Sequence, residues 1–208
     1  MKKIKQLEPM EIEKRSFEII SHELSEMQIT LPADQEMITK RVIHTSADFD
    51  YIQTLKYSKD AVAIAKRLIS EGADIVTDTN MALSGINKKY LAKFGGQVHC
   101  FMADDEVALI AKEKKTTRAA VSMEFASRID KPVIFAIGNA PTALIELYDM
   151  IEKGIYKPAF VLGVPVGCVN VEISEERIIE KARAPYIVAR GRKGGSNVAA
   201  AICNALLY

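Results

Sequence analysis

The chain has 208 residues, 49% of them hydrophobic and 26% charged, a composition typical of one packed globular domain covering residues 1–208. The 28 Lys and Arg residues against 27 Asp and Glu residues give a net charge of +1. No strong overall field is therefore available to hold nucleic acid or a membrane surface, and an anionic ligand would need a local cluster of basic groups.

Two helices are predicted before the first strand, over residues 8–24 and 32–47. The second ends in the stretch RVIHTSADFDY (41–51), which puts His44 in its last turn. A helix C-terminus favours a cationic imidazole by about 0.3–1 kcal/mol, which suits a general acid. A buried structural histidine fits the same pattern, and the residues around His44 do not decide between these two interpretations.

Short, nearly continuous apolar runs then alternate with helical patterns, as in a parallel sheet buried on both faces. The predicted strands are 73–78, 97–102, 132–138, 158–164 and 185–191, and the predicted helices are 59–72, 116–129, 140–154 and 194–207. This order predicts an open, doubly wound, mainly parallel α/β sheet of five strands.

Ligands of such sheets bind outside the carboxyl ends of the strands, where polar loops follow here. The loop 190–197, RGRKGGSN, combines three basic side chains with two glycines at the start of a helix. Free backbone N–H groups at Gly138 and Asn139, and at Gly194 to Ser196, are expected to bind carboxylates or phosphates. A solvated turn with a glycine cap would explain RGRKGGSN equally well.

Several site classes are not supported by the sequence. No GxxxxGK[ST], GxGxxG or GxSxG motif of the required context occurs. The three cysteines, Cys100, Cys168 and Cys203, are far apart and indicate neither a zinc site nor a disulfide framework. His22 and His99 are interpreted as structural, and no histidine has metal-ligand spacing. The N-terminus has no secretory signal and no apolar run reaches the ~18 residues of a membrane span, so we expect a soluble, cytoplasmic protein.

Five stretches together resemble one family. EKRSFEII, RVIHTSADFDY, GNAPTALIEL, GVPVGCVNVEISEE and GRKGGSNVAAAICNAL are similar, in this order, to motifs of the precorrin-8X methylmutases of cobalamin biosynthesis. The likeness runs from Glu11 to Leu207. Cys168 stands where family members usually have an aromatic residue, a difference that could reshape a pocket wall.

The resemblance implies a methyl migration from C-11 to C-12 of precorrin-8X or its cobalt form. It also implies a flavodoxin-like three-layer α/β/α fold, no cofactor or resident metal, and a homodimer with active sites near the subunit interface. His44 matches the family's proposed proton donor. Arg15, Ser16 and Arg118 match its other motif residues.

The substrate is a flat apolar macrocycle with acetate and propionate arms, which basic side chains and N–H donors can bind. The predicted substrate-binding residues are Arg15, Ser16, Ser84, Asn87, Thr117, Arg118, Gly138, Asn139, Arg190, Arg192, Gly194, Gly195 and Ser196, with Lys193 as a further cation. Two alternatives are a tetrapyrrole carrier without chemistry and a nucleotide-dependent α/β enzyme that binds phosphate at RGRKGGSN.

Overall fold

The computed structural model describes residues 8–181 and 183–208, and in them six strands form one sheet. The strands are β1 (Leu55–Tyr57), β2 (Asp74–Thr77), β3 (Val98–His99), β4 (Val133–Ile137), β5 (Phe160–Gly163) and β6 (Tyr186–Ala189). Their order across the sheet is β1-β6-β5-β4-β2-β3. All neighbouring pairs are parallel except β1 and β6.

The five predicted strands are present, but the prediction of a five-stranded sheet is wrong. The additional strand, β1, lies at the edge and pairs antiparallel with β6, with Leu55 opposite Ala189. It is three residues long and directly follows the single helical turn Tyr51–Thr54. A segment this short contains too few residues for an alternating or continuous apolar pattern to stand out.

The helices of the described residues lie before, between and after the strands. They are α1 (Pro9–Glu26), α2 (Glu36–Ser46), α3 (Tyr51–Thr54), α4 (Ala61–Ser70), α5 (Asn80–Gly85), α6 (Lys88–Leu91), α7 (Asp105–Glu113), α8 (Arg118–Ala126), α9 (Pro141–Glu152), α10 (Val171–Lys181) and α11 (Ser196–Leu207). The six long predicted helices correspond to α1, α2, α4, α8, α9 and α11. The sequence prediction did not include the longer helices α7 and α10 or the short helices α3, α5 and α6.

Helices cover both faces of the sheet, because successive strand residues point to opposite sides. Ile134 and Ala136 of β4 pack with α2, α4 and α11, whereas Phe135 and Ile137 pack with α8, α9 and α10. All five β4 residues are buried. Each fully buried side chain of Phe or Ile size contributes ~1.5–3 kcal/mol, so the two apolar layers hold the sheet in place.

The parallel strands end at the same edge of the sheet. The chain passes from β2 to β3 on one side and then returns to β4 on the other side of β2, so its direction reverses between β2 and β4. Such a reversal separates the loops after the two strands and leaves a crevice at the carboxyl edge. The loops after β2, β4, β5 and β6 therefore lie near one another. No helix among the described residues is long and apolar enough to cross a membrane.

Gly194 is required at this edge because the backbone of the loop after β5 approaches it closely. A Cβ at this position would lie 2.2 Å from the Val164 oxygen and 2.3 Å from the Pro165 oxygen. We expect Gly194→Ala to lower the free energy of unfolding by about 2–3 kcal/mol, measured by urea denaturation. The control is Gly154→Ala, where a Cβ meets nothing within 4 Å and the positive φ alone costs about 1 kcal/mol. Equal losses in the two variants would contradict the close-contact explanation.

Candidate active site

His44 lies in the last turn of α2, as predicted, and the helix ends at Ala47 in the left-handed conformation with φ 54°. The imidazole is half-buried. Its ring packs against Phe17 of α1, with the ring centroids 5.4 Å apart, and the Arg41 guanidinium lies 4.7 Å from the centroid of the same Phe17 ring. The histidine is therefore held by an aromatic neighbour while part of its surface stays accessible to a ligand.

A groove between α1 and α2 adjoins this histidine. It has a volume of about 880 Å³, and Phe17, Met37 and Arg41 are among the residues that line it. Phe17 therefore contacts His44 and the groove at the same time. His44 itself does not line the groove, whose walls also carry Glu13, Glu18 and Glu36, so the imidazole meets the groove only through Phe17.

The segment after His44 is joined to the loop between β6 and α11 by an ion-pair cluster. The Lys193 ammonium group lies 2.7 Å from Asp48 Oδ2 and 2.5 Å from Asp50 Oδ2. The hydrogen bond from Lys193 lowers the pKa of Asp48 below its usual value, and the same contacts raise the pKa of Lys193. RVIHTSADFDY and RGRKGGSN, about 140 residues apart in sequence, thus meet in the fold.

Most of the basic side chains predicted to bind substrate are paired with carboxylates of the same chain. Ion pairs join Arg15 to Glu18 (2.8 Å), Arg190 to Glu176 (2.7 Å) and Arg192 to Glu172 (3.4 Å). Arg118 is exposed at the first position of α8 and forms no ion pair with a described residue. Pairs between exposed side chains stabilise a protein by only about 0–1 kcal/mol, so a substrate carboxylate can displace such a partner.

The predicted N–H donors after β4 already have an acceptor, which is the carboxyl group of Asp78. Gly138 N–H donates to Oδ1 at 2.8 Å, and the N–H groups of Asn139 and Ala140 donate to Oδ2 at 2.8 and 2.6 Å. Asp78 is 0% exposed, and burial raises its pKa despite these three donors. These three N–H groups are therefore occupied in the free chain, and their predicted contact with substrate carboxylates stays a prediction.

Polar groups in the loop before α11 are partly occupied in the same way. Gly195 N–H donates to the Val164 carbonyl oxygen at 2.9 Å. The Ser196 hydroxyl is buried and lies 2.7 Å from the Thr79 hydroxyl, so it joins the loops after β2 and β6. Gly138 fits against this turn, since a Cβ there would be 2.8 Å from Ser196 Cα. These residues build the edge itself, and their polar groups point at one another.

The remaining predicted binding residues are helix caps or surface groups. Thr117 accepts from Ala120 N–H and caps α8, and Asn87 accepts from Tyr90 N–H and caps α6. The Ser16 hydroxyl donates to its own helix at Ile12. Ser84 is exposed in α5.

Cys168, the residue that departs from the resemblance, is exposed and lines a smaller cavity of about 260 Å³ together with Arg192. No group of three or more His, Cys, Asp or Glu side chains that could hold a metal ion lies in residues 8–181 or 183–208.

Sequence reasoning missed Glu175, a buried carboxyl group beneath the loop after β6. Glu175 lies in α10 and is 0% exposed. Its Oε2 accepts the Gly191 N–H at 2.9 Å, whereas Oε1 has no hydrogen-bond partner among the described residues. Burial raises the pKa of Glu175 to about 8. The surrounding sequence, ISEER, is charged and gives no signal that one of its glutamates is buried.

Comparison with known proteins agrees with this architecture. The model of the precorrin-8X methylmutase family matches residues 11–208. The chain belongs to this family. It is 41% identical to a cobalt-precorrin-8 methylmutase of Priestia megaterium, over 96% of this chain and 88% of the relative, and 43% identical to one of Salmonella typhimurium, over 97% and 95%. A crystal structure of a precorrin-8X methylmutase from Thermus thermophilus superimposes with a TM-score of 0.83 at 35% identity, covering 94% of this chain and 95% of that chain.

Asp78 provides a test of how the carboxyl edge is held. In Asp78→Asn an NH₂ group replaces one acceptor oxygen and faces backbone donors, so at least one buried N–H loses its partner. We expect the free energy of unfolding to fall by about 2–4 kcal/mol in urea denaturation. Asp130→Asn makes the same charge change at an exposed position and serves as the control. A loss at Asp78 no larger than at Asp130 would show that the three N–H groups do not depend on this carboxyl.

Proposed function

We propose that His44 is the proton donor in an intramolecular methyl migration on the ring of precorrin-8, in its metal-free or cobalt form. The protein is an isomerase of cobalamin biosynthesis and acts on a tetrapyrrole, as the family match over residues 11–208 and the named relatives establish. The observation that supports the role of His44 is its position at the end of α2, half-buried against Phe17, which lines the groove. Asp48, four residues later, binds Lys193 of the loop after β6.

The proposed reaction moves the methyl group from C-11 to C-12 as a [1,5]-sigmatropic shift. One C–C bond breaks as another forms, and the double bonds of the ring shift, so no oxidant, reductant or external methyl donor is needed. The chain has to bind a reactive tautomer, and His44 protonates or hydrogen-bonds a ring position as the conjugation changes. General acid catalysis of this kind contributes ~10²–10⁴-fold to a rate.

We also propose how the substrate's carboxylate arms are bound. Arg118 is exposed and unpaired with any described residue, so it offers a full positive charge. The exposed ion pairs of the remaining cations can exchange their protein carboxylates for substrate carboxylates. The further proposed contacts come from Arg15, Ser16, Ser84, Asn87, Thr117, Asn139, Arg190, Arg192, Lys193 and Ser196, with Gly138, Gly194 and Gly195 shaping the edge.

Four finer assignments belong to the same proposal. The five parallel strands, numbered along the chain, lie in the order 2-1-3-4-5, which supports a flavodoxin-like fold. Residues 1–208 are proposed to act as one domain. A cytoplasmic location is consistent with three unpaired cysteines. A homodimer would cover exposed apolar residues such as Val166 and Val169 on the loop after β5 and Ile173 in the first turn of α10. Nucleic acid is not an expected partner.

The identity of the substrate can be tested directly. We infer that the cobalt form is the natural substrate, because the relatives in Priestia megaterium and Salmonella typhimurium are named for it. The purified protein is mixed separately with precorrin-8X and cobalt-precorrin-8, and the visible spectrum is followed. We expect conversion to the rearranged corrin chromophore, faster with the cobalt form. Binding of both without conversion would favour the carrier alternative, and stabilisation by nucleotides alone would favour the nucleotide-dependent enzyme.

The role of His44 is tested by His44→Ala. Because the substitution removes the proton donor without touching the ion-paired loop, we expect kcat to fall by ~10²–10⁴-fold. Substrate binding, measured from the spectral change on mixing, should stay close to that of the unsubstituted protein. His22→Ala in α1 is the control, since His22 is exposed and lies at a salt-bridge distance from Glu26 only. Turnover by His44→Ala at nearly the rate of the control would rule out the proton-donor assignment.

A further inference from the structure

We propose that Glu175 is a positioning residue for this reaction. In its protonated form its carboxyl group holds the Gly191 N–H and thereby fixes loop 190–195 against the end of the helix that carries His44. The inference deepens the proposed function and rests on the assignment of His44 as the proton donor.

The first support is the setting of the carboxyl group. Glu175 is 0% exposed, and its one hydrogen bond among the described residues is the 2.9 Å contact from Gly191 to Oε2. An ionised carboxylate without water and with a single donor would be strongly destabilised. A protonated carboxyl keeps Oε2 as a carbonyl acceptor for Gly191 and carries its O–H on Oε1, and the cost of this one unpaired donor is smaller than that of a buried charge. The geometry therefore fits the neutral form.

The second support is the position of Gly191 within the loop. Gly191 has φ 104°, a left-handed conformation that an L side chain rarely adopts, so the hydrogen bond to Glu175 holds the loop at a turn that favours glycine. Two residues later Lys193 binds Asp48 and Asp50, which follow the end of α2. A displacement of Gly191 would therefore be transmitted through Lys193 to the segment next to His44.

The charged groups around Glu175 all favour its neutral form or are engaged elsewhere. Glu172 and Glu176 of α10 raise its pKa by repulsion, and Tyr51 of α3 is an acidic group that faces it. The basic side chains of the loop bind other carboxylates: Arg190 binds Glu176, Arg192 binds Glu172, and Lys193 binds Asp48 and Asp50. Deprotonation would thus place an uncompensated charge under the loop.

This arrangement gives a defined pH window. The pKa of Glu175 is about 8 in the folded chain against an ordinary value of 4.5, so the folded state retains a proton that the unfolded state loses. Stability is then highest below the ordinary value and falls as the pH rises from 4.5 to about 8, above which the contribution levels off. Above about 8 the folded carboxyl ionises. The carboxylate is the stronger acceptor for the Gly191 N–H, but its unpaired buried charge favours entry of water beneath the loop, which would release Gly191.

The test compares pH profiles of kcat for the unsubstituted protein, Glu175→Gln and Glu180→Gln, with cobalt-precorrin-8 as substrate. Glutamine keeps a carbonyl acceptor for Gly191 and cannot ionise. Glu180→Gln makes the same charge change at an exposed position of the same helix. Ionisation of Glu175 should lower kcat by about tenfold per pH unit above pH 8. We expect the steeper fall in the unsubstituted protein and Glu180→Gln, and the shallower one in Glu175→Gln.

Two readouts separate this inference from the proposed function. Hydrogen exchange at the Gly191 amide should accelerate above pH 8, beyond the intrinsic increase, in the unsubstituted protein but not in Glu175→Gln. In urea denaturation, the free energy of unfolding of the unsubstituted protein and of Glu180→Gln should fall between pH 5 and 8 by more than that of Glu175→Gln. Equal kcat slopes in all three proteins, or exchange at Gly191 that is unaffected by the substitution, would overturn the positioning role. Absence of conversion by the unsubstituted protein at every pH would instead refute the proposed function, and the role of Glu175 in it.

Discussion

The carboxyl edge of this sheet depends on one buried acceptor, Asp78. Its two oxygens accept three consecutive N–H groups after β4, at the point where the chain reverses direction across the sheet. Backbone donors at such a crevice otherwise need a ligand or water. With Asp78 in place the loops after β2 and β4 are joined before any substrate arrives, and the neighbouring contact between Thr79 and Ser196 extends this connection to α11.

The basic side chains of the site are likewise mostly paired with groups of the same chain. A protein with a net charge of +1 binds a polyanion only if its positive charges are local, and here they are local but mostly paired. Exposed pairs hold the side chains in place at little cost and can be exchanged for substrate carboxylates. Lys193 differs, because its two carboxylate partners, Asp48 and Asp50, both lie in the segment that follows the end of α2. The loop after β6 is thus held by Lys193 from one side and by Glu175 from the other.

The accuracy of the sequence interpretation differs between the fold and the site. Continuous apolar runs located all five parallel strands, because strands buried on both faces need apolar residues at every position. The antiparallel edge strand at Leu55–Tyr57 was missed because it is too short to carry a pattern. Glu175 was missed because the charged sequence around it is typical of an exposed helix, and only the overlying loop makes it buried.

The sequence by itself determined the α/β class, the helix end that carries His44 and the family, since these depend on local patterns and on motifs in a fixed order. The tertiary structure alone decided which polar groups satisfy one another. Asp78 with residues 138–140, Lys193 with Asp48 and Asp50, and Glu175 with Gly191 are distant or unpatterned in sequence. Hydrogen bonds and ion pairs act over about 3 Å, so their partners are fixed only when packing of the sheet and helices brings the loops together.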